Sequence, residues 1–171
     1  MARELNATVL YWDEYDDISK QPVDYVEWYH KDGDVSAWKY PALADTLSKL
    51  KSGESPVCPA TNKELLATPW IVFDSPLGYD HLETGRFIDF LIWIDTPLDI
   101  ALTRRTIRDH LSGGQVNAAL LREELEYYCK KSRPLFAKGL SIPADLVVDG
   151  SHSLGEMRNN IIKFLNKKKV S

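Results

Sequence analysis

The sequence holds two cysteines, Cys58 and Cys129, at a separation that fits no metal-ligand pattern, so neither a disulfide framework nor a zinc site is expected. No apolar run is long enough to span a bilayer, and the opening "MARELNATVLYW" lacks the apolar centre of a signal peptide. A reducing, cytoplasmic setting is the expectation that follows. An excess of one charge is also missing. The 21 basic and 25 acidic residues leave a net charge of −4, which gives no electrostatic footprint for nucleic acid or for an anionic membrane. The cluster Lys167, Lys168 and Lys169 reads as the solvated end of a helix. Repeats and low-complexity tracts are absent. His30, His81, His110 and His152 are scattered without metal spacing, and no G-x-S-x-G elbow or Ser/His/Asp order supports a hydrolase. A further absence is the phosphate-binding loop G-x-x-x-x-G-K-[ST]; the one close glycine pair is Gly113–Gly114.

What is present suits one soluble globular domain over residues 1–171, with 44% hydrophobic and 27% charged residues. Four short runs read as strands: "TVLYW" (8–12), "WIVFD" (70–74), "FLIWID" (90–95) and "DLVVDG" (145–150). Each is apolar along its length, the pattern of parallel strands covered on both faces. Most end on an aspartate, namely Asp13, Asp74, Asp95 and Asp149, and open parallel sheets bind ligands beyond those ends. Helices are expected over 41–53, between Pro41 and Gly53, and over 96–111, with Thr96 as N-cap and Pro97 in the first helical position. A long helix over 115–140 should break near Pro134, and a terminal helix should run over 153–168. Residues 18 to 40 read as an excursion over the surface, and Asp149–Gly150 as a turn. Strands alternating with helices indicate a three-layer α/β domain.

Three stretches carry candidate chemistry. "VLYWDEYDD" crowds Asp13, Glu14, Asp16 and Asp17 at one strand end, where a carboxylate can take a proton from a substrate hydroxyl or hold magnesium through a water. A solvated acidic loop is the alternative reading of that stretch. "WIVFDSPLG" ends its strand on Asp74, the placement of an acid beside a magnesium–phosphate centre, although any buried strand can end in Asp before a Ser-Pro turn. "RRTIRDH" sets Arg104 one helical turn before Arg108, with Arg105 three before it, so the guanidinium groups can gather on one side. Such forks match phosphate oxygens; the alternative is a surface ladder with Asp99, Asp109 and Glu123.

Taken in order, these stretches resemble the uridine kinase-like branch of the P-loop kinases, which includes nicotinamide riboside kinases, pantothenate kinases and phosphoribulokinases. "VLYWDEYDD" is similar to that family's strand-Asp-x-[Phe/Tyr] segment, "WKYPALADTLSKLKSGESPVCP" to its Pro-initiated helix, and "IVFDSPLG" to its strand, acid and Gly. "LIWIDTPLDIALTRRTIRD" is similar to the strand-Asp-Thr segment that leads into the lid, here placed over 109–134 with the long helix, and "ADLVVDG" to the last strand. The resemblance implies a three-layer P-loop NTPase fold with a parallel sheet. It also implies ATP- and Mg²⁺-dependent phosphoryl transfer to a hydroxyl of a small nucleoside-like acceptor. It makes Asp13 the general base and Asp74 the acid at the Mg²⁺ site. It places Tyr15, Lys39 and Arg105 against the acceptor and Arg104 and Arg108 against ATP.

The chain departs from that family in specific places. Lys39 in "WKYP" stands where uridine kinases carry an Asp that grips the ribose diol. The shorter "CPATNKELLATPW" offers Thr61 and Asn62 in place of the Tyr and His that hold the pyrimidine, and Gly113 and Gln115 replace later lid arginines. The family's first strand and phosphate loop would precede the strand ending at Asp13, so the expectation is a chain starting at an internal Met with its central strand missing. A homodimer covering the exposed sheet edges would answer that loss. The competing expectation is a non-catalytic kinase-like domain that binds a ligand or a partner, and a nucleotide or dephospho-coenzyme kinase is a second enzymatic possibility.

Overall fold

A computed structural model describes residues 1–113, 115–137 and 143–169. Gly114 of the glycine pair and the expected helix end at 138–140 lie outside the described residues. The chain divides into two compact units. The first comprises Met1–Leu91 with Pro143, and the second the described residues from 92 to 137 and from 144 to 169. The described residues form a mixed α/β structure with eight α-helices and two small parallel sheets.

In the first unit, helix α1 (Ala2–Leu5) closes on Asn6 in the left-handed region (φ 50°) and feeds strand β1 (Thr8–Tyr11). Strand β2 (Ile71–Asp74) pairs with β1 in parallel, with Thr8 opposite Ile71 and Tyr11 opposite Asp74. Between them lie α2 (Tyr25–Lys31) and α3 (Pro41–Lys51), and α4 (Leu82–Gly85) follows β2. Helix α3 shows why this sequence folds as it does. Pro41 starts the helix without forfeiting a needed N–H. Leu43, Leu47 and Leu50 recur on one face and are buried, and Gly53 closes the helix at φ 86° with its N–H on the Leu50 carbonyl. That face joins Leu10, Trp12, Tyr15, Trp38, Tyr40 and Cys58 in a single buried cluster.

The second unit contains β3 (Ile92–Asp95) and β4 (Leu146–Asp149), also parallel, with Asp95 opposite Asp149. Helix α5 (Leu98–Thr106) continues through a widened turn at Ile107–Leu111. Helix α6 (Ala118–Tyr127) passes through another widened turn at Tyr128–Ser132 into α7 (Arg133–Ala137). Helix α8 (Leu154–Lys169) begins with a reciprocal cap: Ser153 N–H donates to Glu156 Oε2 at 3.0 Å, and Glu156 N–H to Ser153 Oγ at 3.3 Å. Met157, Ile161 and Leu165 then form its buried stripe.

Four local expectations need correction. Residues 18 to 40 are not a plain surface excursion: they include α2, Val26 and Trp38 are buried, and Lys20 and Lys39 exchange backbone hydrogen bonds. The signal for α2 is present in "DYVEWYHK". Asp24 accepts from the Val26 and Glu27 N–H groups, Glu27 sits in the first turn, and His30 and Lys31 sit in the last. The long helix does not break at Pro134. The turn at 128–132 widens instead, which accommodates a ring that would clash one turn back and a missing N–H. Thr96 does not cap α5, whose first helical residue is Leu98. Finally, the strands are only partly covered: Ile94 and Val147 are half-exposed or more, as two-stranded sheets leave much of each face open.

Candidate functional site

Strand β1 passes directly into a 3-10 helix over Trp12–Ile18. Three residues per turn make positions i and i+3 eclipse. Trp12 and Tyr15 therefore share the inward face and are buried, at 2% and 0% exposure, while Asp13 and Asp16 share another. Asp74 ends β2 opposite Tyr11, two residues before Asp13, so both acids lie at the C-terminal end of one parallel pair. Partial desolvation, then the charges of Asp16 and Asp74, push the Asp13 carboxyl above the usual aspartate value. Burial, then Asp16 and Asp13, push the Tyr25 phenol up as well.

Asp16 is held from the core side. The hydroxyl of Tyr40, a fully buried residue, lies 2.6 Å from Asp16 Oδ1 and 2.6 Å from the Gln21 side-chain amide. With one proton to give, it donates to the stronger acceptor, the carboxylate. Burial and then that hydrogen bond hold the Tyr40 hydroxyl well above its ordinary pKa. The Tyr40 ring packs 4.0 Å from Trp12, and its N–H donates to Glu83 Oε2 at 2.9 Å. The sequence alone sets Asp16 only among the acids crowded at the strand end and gives Tyr40 no role; the period-three spacing of Asp13 and Asp16 is the signal it does carry.

The other sequence-derived candidates are placed as follows. Tyr15 is enclosed in the core with its hydroxyl 3.2 Å from Cys58 Sγ, so in this structure its side chain serves packing. Burial pulls the Cys58 thiol up, but hydrogen bonds from Thr61 and Tyr15 bring it below its usual value. Lys39 is half-exposed with Nζ 3.8 Å from Glu83 Oε1. The three arginines belong to the second unit. Arg104 Nη1 donates to the Gly150 carbonyl at 2.6 Å. Arg108 grips Asp109 with two bonds of 2.6 and 3.0 Å, and Arg105 Nε lies 3.4 Å from the same carboxylate. The guanidinium groups therefore divide between a backbone carbonyl and Asp109, one of the three acids of the ladder alternative.

His81 is a buried group that the sequence reading left among scattered histidines. It is 2% exposed, with Nε2 3.1 Å from the Trp38 carbonyl and Nδ1 2.8 Å from Thr84 Oγ1. A carbonyl only accepts, so Nε2 carries the proton and Nδ1 accepts from Thr84. The ring stands edge-on to Trp12 at 4.8 Å. Burial holds its pKa below 6.5, against opposing effects of the Trp38 carbonyl and Glu83. A depressed folded-state value means that this stability is complete above pH 6.5 and is lost as pH falls through the folded value. Urea midpoints measured from about pH 7.5 down to about pH 5.5 should therefore fall more steeply for the wild type than for His81→Gln. Parallel slopes would contradict the assignment.

Among the described residues, no group of three or more His, Cys, Asp and Glu side chains could hold a metal ion, and no helix is long and apolar enough to cross a membrane. No family model matches the chain, and no curated protein matches it.

Proposed function

We propose that the chain carries the acceptor side of a uridine kinase-like phosphotransferase, directed at a hydroxyl of a small nucleoside-like molecule with ATP and Mg²⁺, in a P-loop NTPase-type arrangement. The observation that carries this reading is the placement of Asp13 and Asp74 at the same end of β1 and β2. Asp13 is the base for the hydroxyl, and its raised proton affinity makes it a better proton acceptor than an ordinary aspartate. Asp74 is the carboxylate that would hold Mg²⁺, which when bound neutralises phosphate charge. Lys39, in the same unit as Asp13 and Asp74, is assigned to the acceptor; within the second unit Arg105 is a candidate acceptor contact and Arg104 and Arg108 candidate phosphate contacts. For the arginines this requires exchange of their present carbonyl and Asp109 partners.

Calorimetry with Mg–ATP and a phosphotransfer assay across a nucleoside panel test the reading. Both should be run on the chain and on a form with a strand and a G-x-x-x-x-G-K-[ST] loop fused ahead of Met1. Asp13→Asn should lower turnover about 10²–10⁴-fold while sparing ATP affinity. Undiminished turnover removes Asp13 from its role, and absence of ATP binding in both forms removes the kinase reading. A second reading, a non-catalytic ligand- or partner-binding protein, is favoured by the exposed Ile94 and Val147. A homodimer is its simplest form, and analytical ultracentrifugation distinguishes it.

A further inference from the structure

Helix α6 turns one side toward its own unit and leaves another uncovered. Leu121, Leu125 and Tyr128 are half-buried on the inner side. Away from them, Leu120 and Tyr127 are 45% and 47% exposed, and two helical turns separate them, so they share a face. Glu123 lies between the two on that face, and Lys131 follows Tyr127 after about one more turn. A helix of ten residues draws its stability mainly from burying an apolar face, so two large apolar side chains left in water call for cover. The charges along the segment are sorted by sign: Glu123, Glu124 and Glu126 come first, then Lys130, Lys131 and Arg133. Glu124 is engaged by His110 at 3.0 Å and Glu126 by Lys130 at 2.7 Å. Glu123, Lys131 and Arg133 have no ion-pair partner among the described residues. That order of signs suits the dipole of α6 itself, but the dipole does not account for the uncovered Leu120 and Tyr127.

We propose that this face of α6 is a contact between two copies of the chain, paired antiparallel about a two-fold axis at Tyr127. A two-fold contact is self-complementary, so a residue ahead of the axis meets the one equally far beyond it on the other copy. Glu123, four residues before Tyr127, then faces Lys131, four residues after it, and the pair forms twice. The two Tyr127 rings meet at the axis, and each Leu120 lies over the basic end of the other copy's segment. A parallel pairing would set acid against acid and base against base. A partner of a single charge sign would answer only half of the segment, whereas a reversed copy answers both halves. The inference concerns a surface of the second unit and does not rest on the phosphoryl-transfer reading. It is also a different surface from the open sheet face that carries Ile94 and Val147.

Sedimentation velocity on the intact chain over a wide concentration range tests this. The wild type should dimerise reversibly and in proportion to concentration, as a small interface between two helical segments would. Glu123→Lys and Lys131→Glu each set like charges opposite one another twice per dimer. Each should raise the dissociation constant at least about tenfold. An equal mixture of these two variants should associate again, because the two copies then carry opposite signs at both contacts. A single chain with both substitutions should dimerise about as well as the wild type. Both positions are exposed, so circular dichroism should be unchanged throughout. A wild type that stays monomeric at every concentration overturns the proposal. So does a dimer that either charge variant leaves intact, since the contact would then lie elsewhere. Association weakened by both variants but not rescued in the mixture overturns the antiparallel pairing.

Discussion

Trp12→Ala should cost about 3–5 kcal/mol, a large share of the roughly 5–15 kcal/mol net stability of an ordinary domain. The indole is 2% exposed and is surrounded by aromatic rings: Tyr40 at 4.0 Å, His81 at 4.8 Å, Trp38 at 6.3 Å and Phe73 at 6.4 Å between centroids. Neighbours of that size, each held by its own backbone element, cannot close over the space an indole leaves. Trp12→Phe retains a ring at the centre of the cluster and should recover more than half of the loss. Urea unfolding followed by circular dichroism measures both. A loss below about 1 kcal/mol for the alanine variant would show that the cluster is not packed as described.

The second large effect is expected at Gly150. Its N–H donates to the Asp95 carbonyl at 2.7 Å, and its own carbonyl accepts from Arg104 at 2.6 Å, so the residue is fixed on both sides. A Cβ there would lie 1.9 Å from Thr96 Oγ1, 2.8 Å from Thr96 Cβ and 2.9 Å from Thr96 Cα. The hydroxyl could turn away, but the Cα belongs to the backbone entering α5. Gly150→Ala should therefore cost at least about 1–3 kcal/mol, the range for overpacking a tight contact. Hydrogen exchange should show the loss in the β3–β4 pair. Adding Thr96→Ala should restore only part of it, since the Cβ and Cα clashes remain. Full restoration would assign the whole effect to the hydroxyl.

The sequence carried the strands well because continuous apolar runs ending on Asp13, Asp74, Asp95 and Asp149 have few other uses in a mixed α/β chain. All four runs contain a strand within a residue or two of the expected limits, and both pairs are parallel. Helix α3 was legible for the same reason, with its leucine spacing and its Pro and Gly ends. The turn at Asp149–Gly150 was also visible, but the reason for its glycine was not, because Thr96 is far away in sequence. Tertiary placement also hid Tyr40 and His81. Nothing local distinguishes a buried tyrosine that holds a carboxylate from one that fills space. The arginines show the opposite limit. Their spacing is plain in the sequence, but their partners are not: Asp109 engages Arg105 and Arg108, and the Gly150 carbonyl engages Arg104.

The threefold winding of residues 12 to 18 also limits how this chain can vary. Adding or deleting one residue between Trp12 and Asp16 would rotate everything beyond it by about 120°. Such a change would swing Asp16 away from its phenol and pull Tyr15 out of the interior. Exchanges at the outward Glu14 and Asp17 should be tolerated freely, whereas length there should be invariant, a pattern that an insertion scan across the segment would expose.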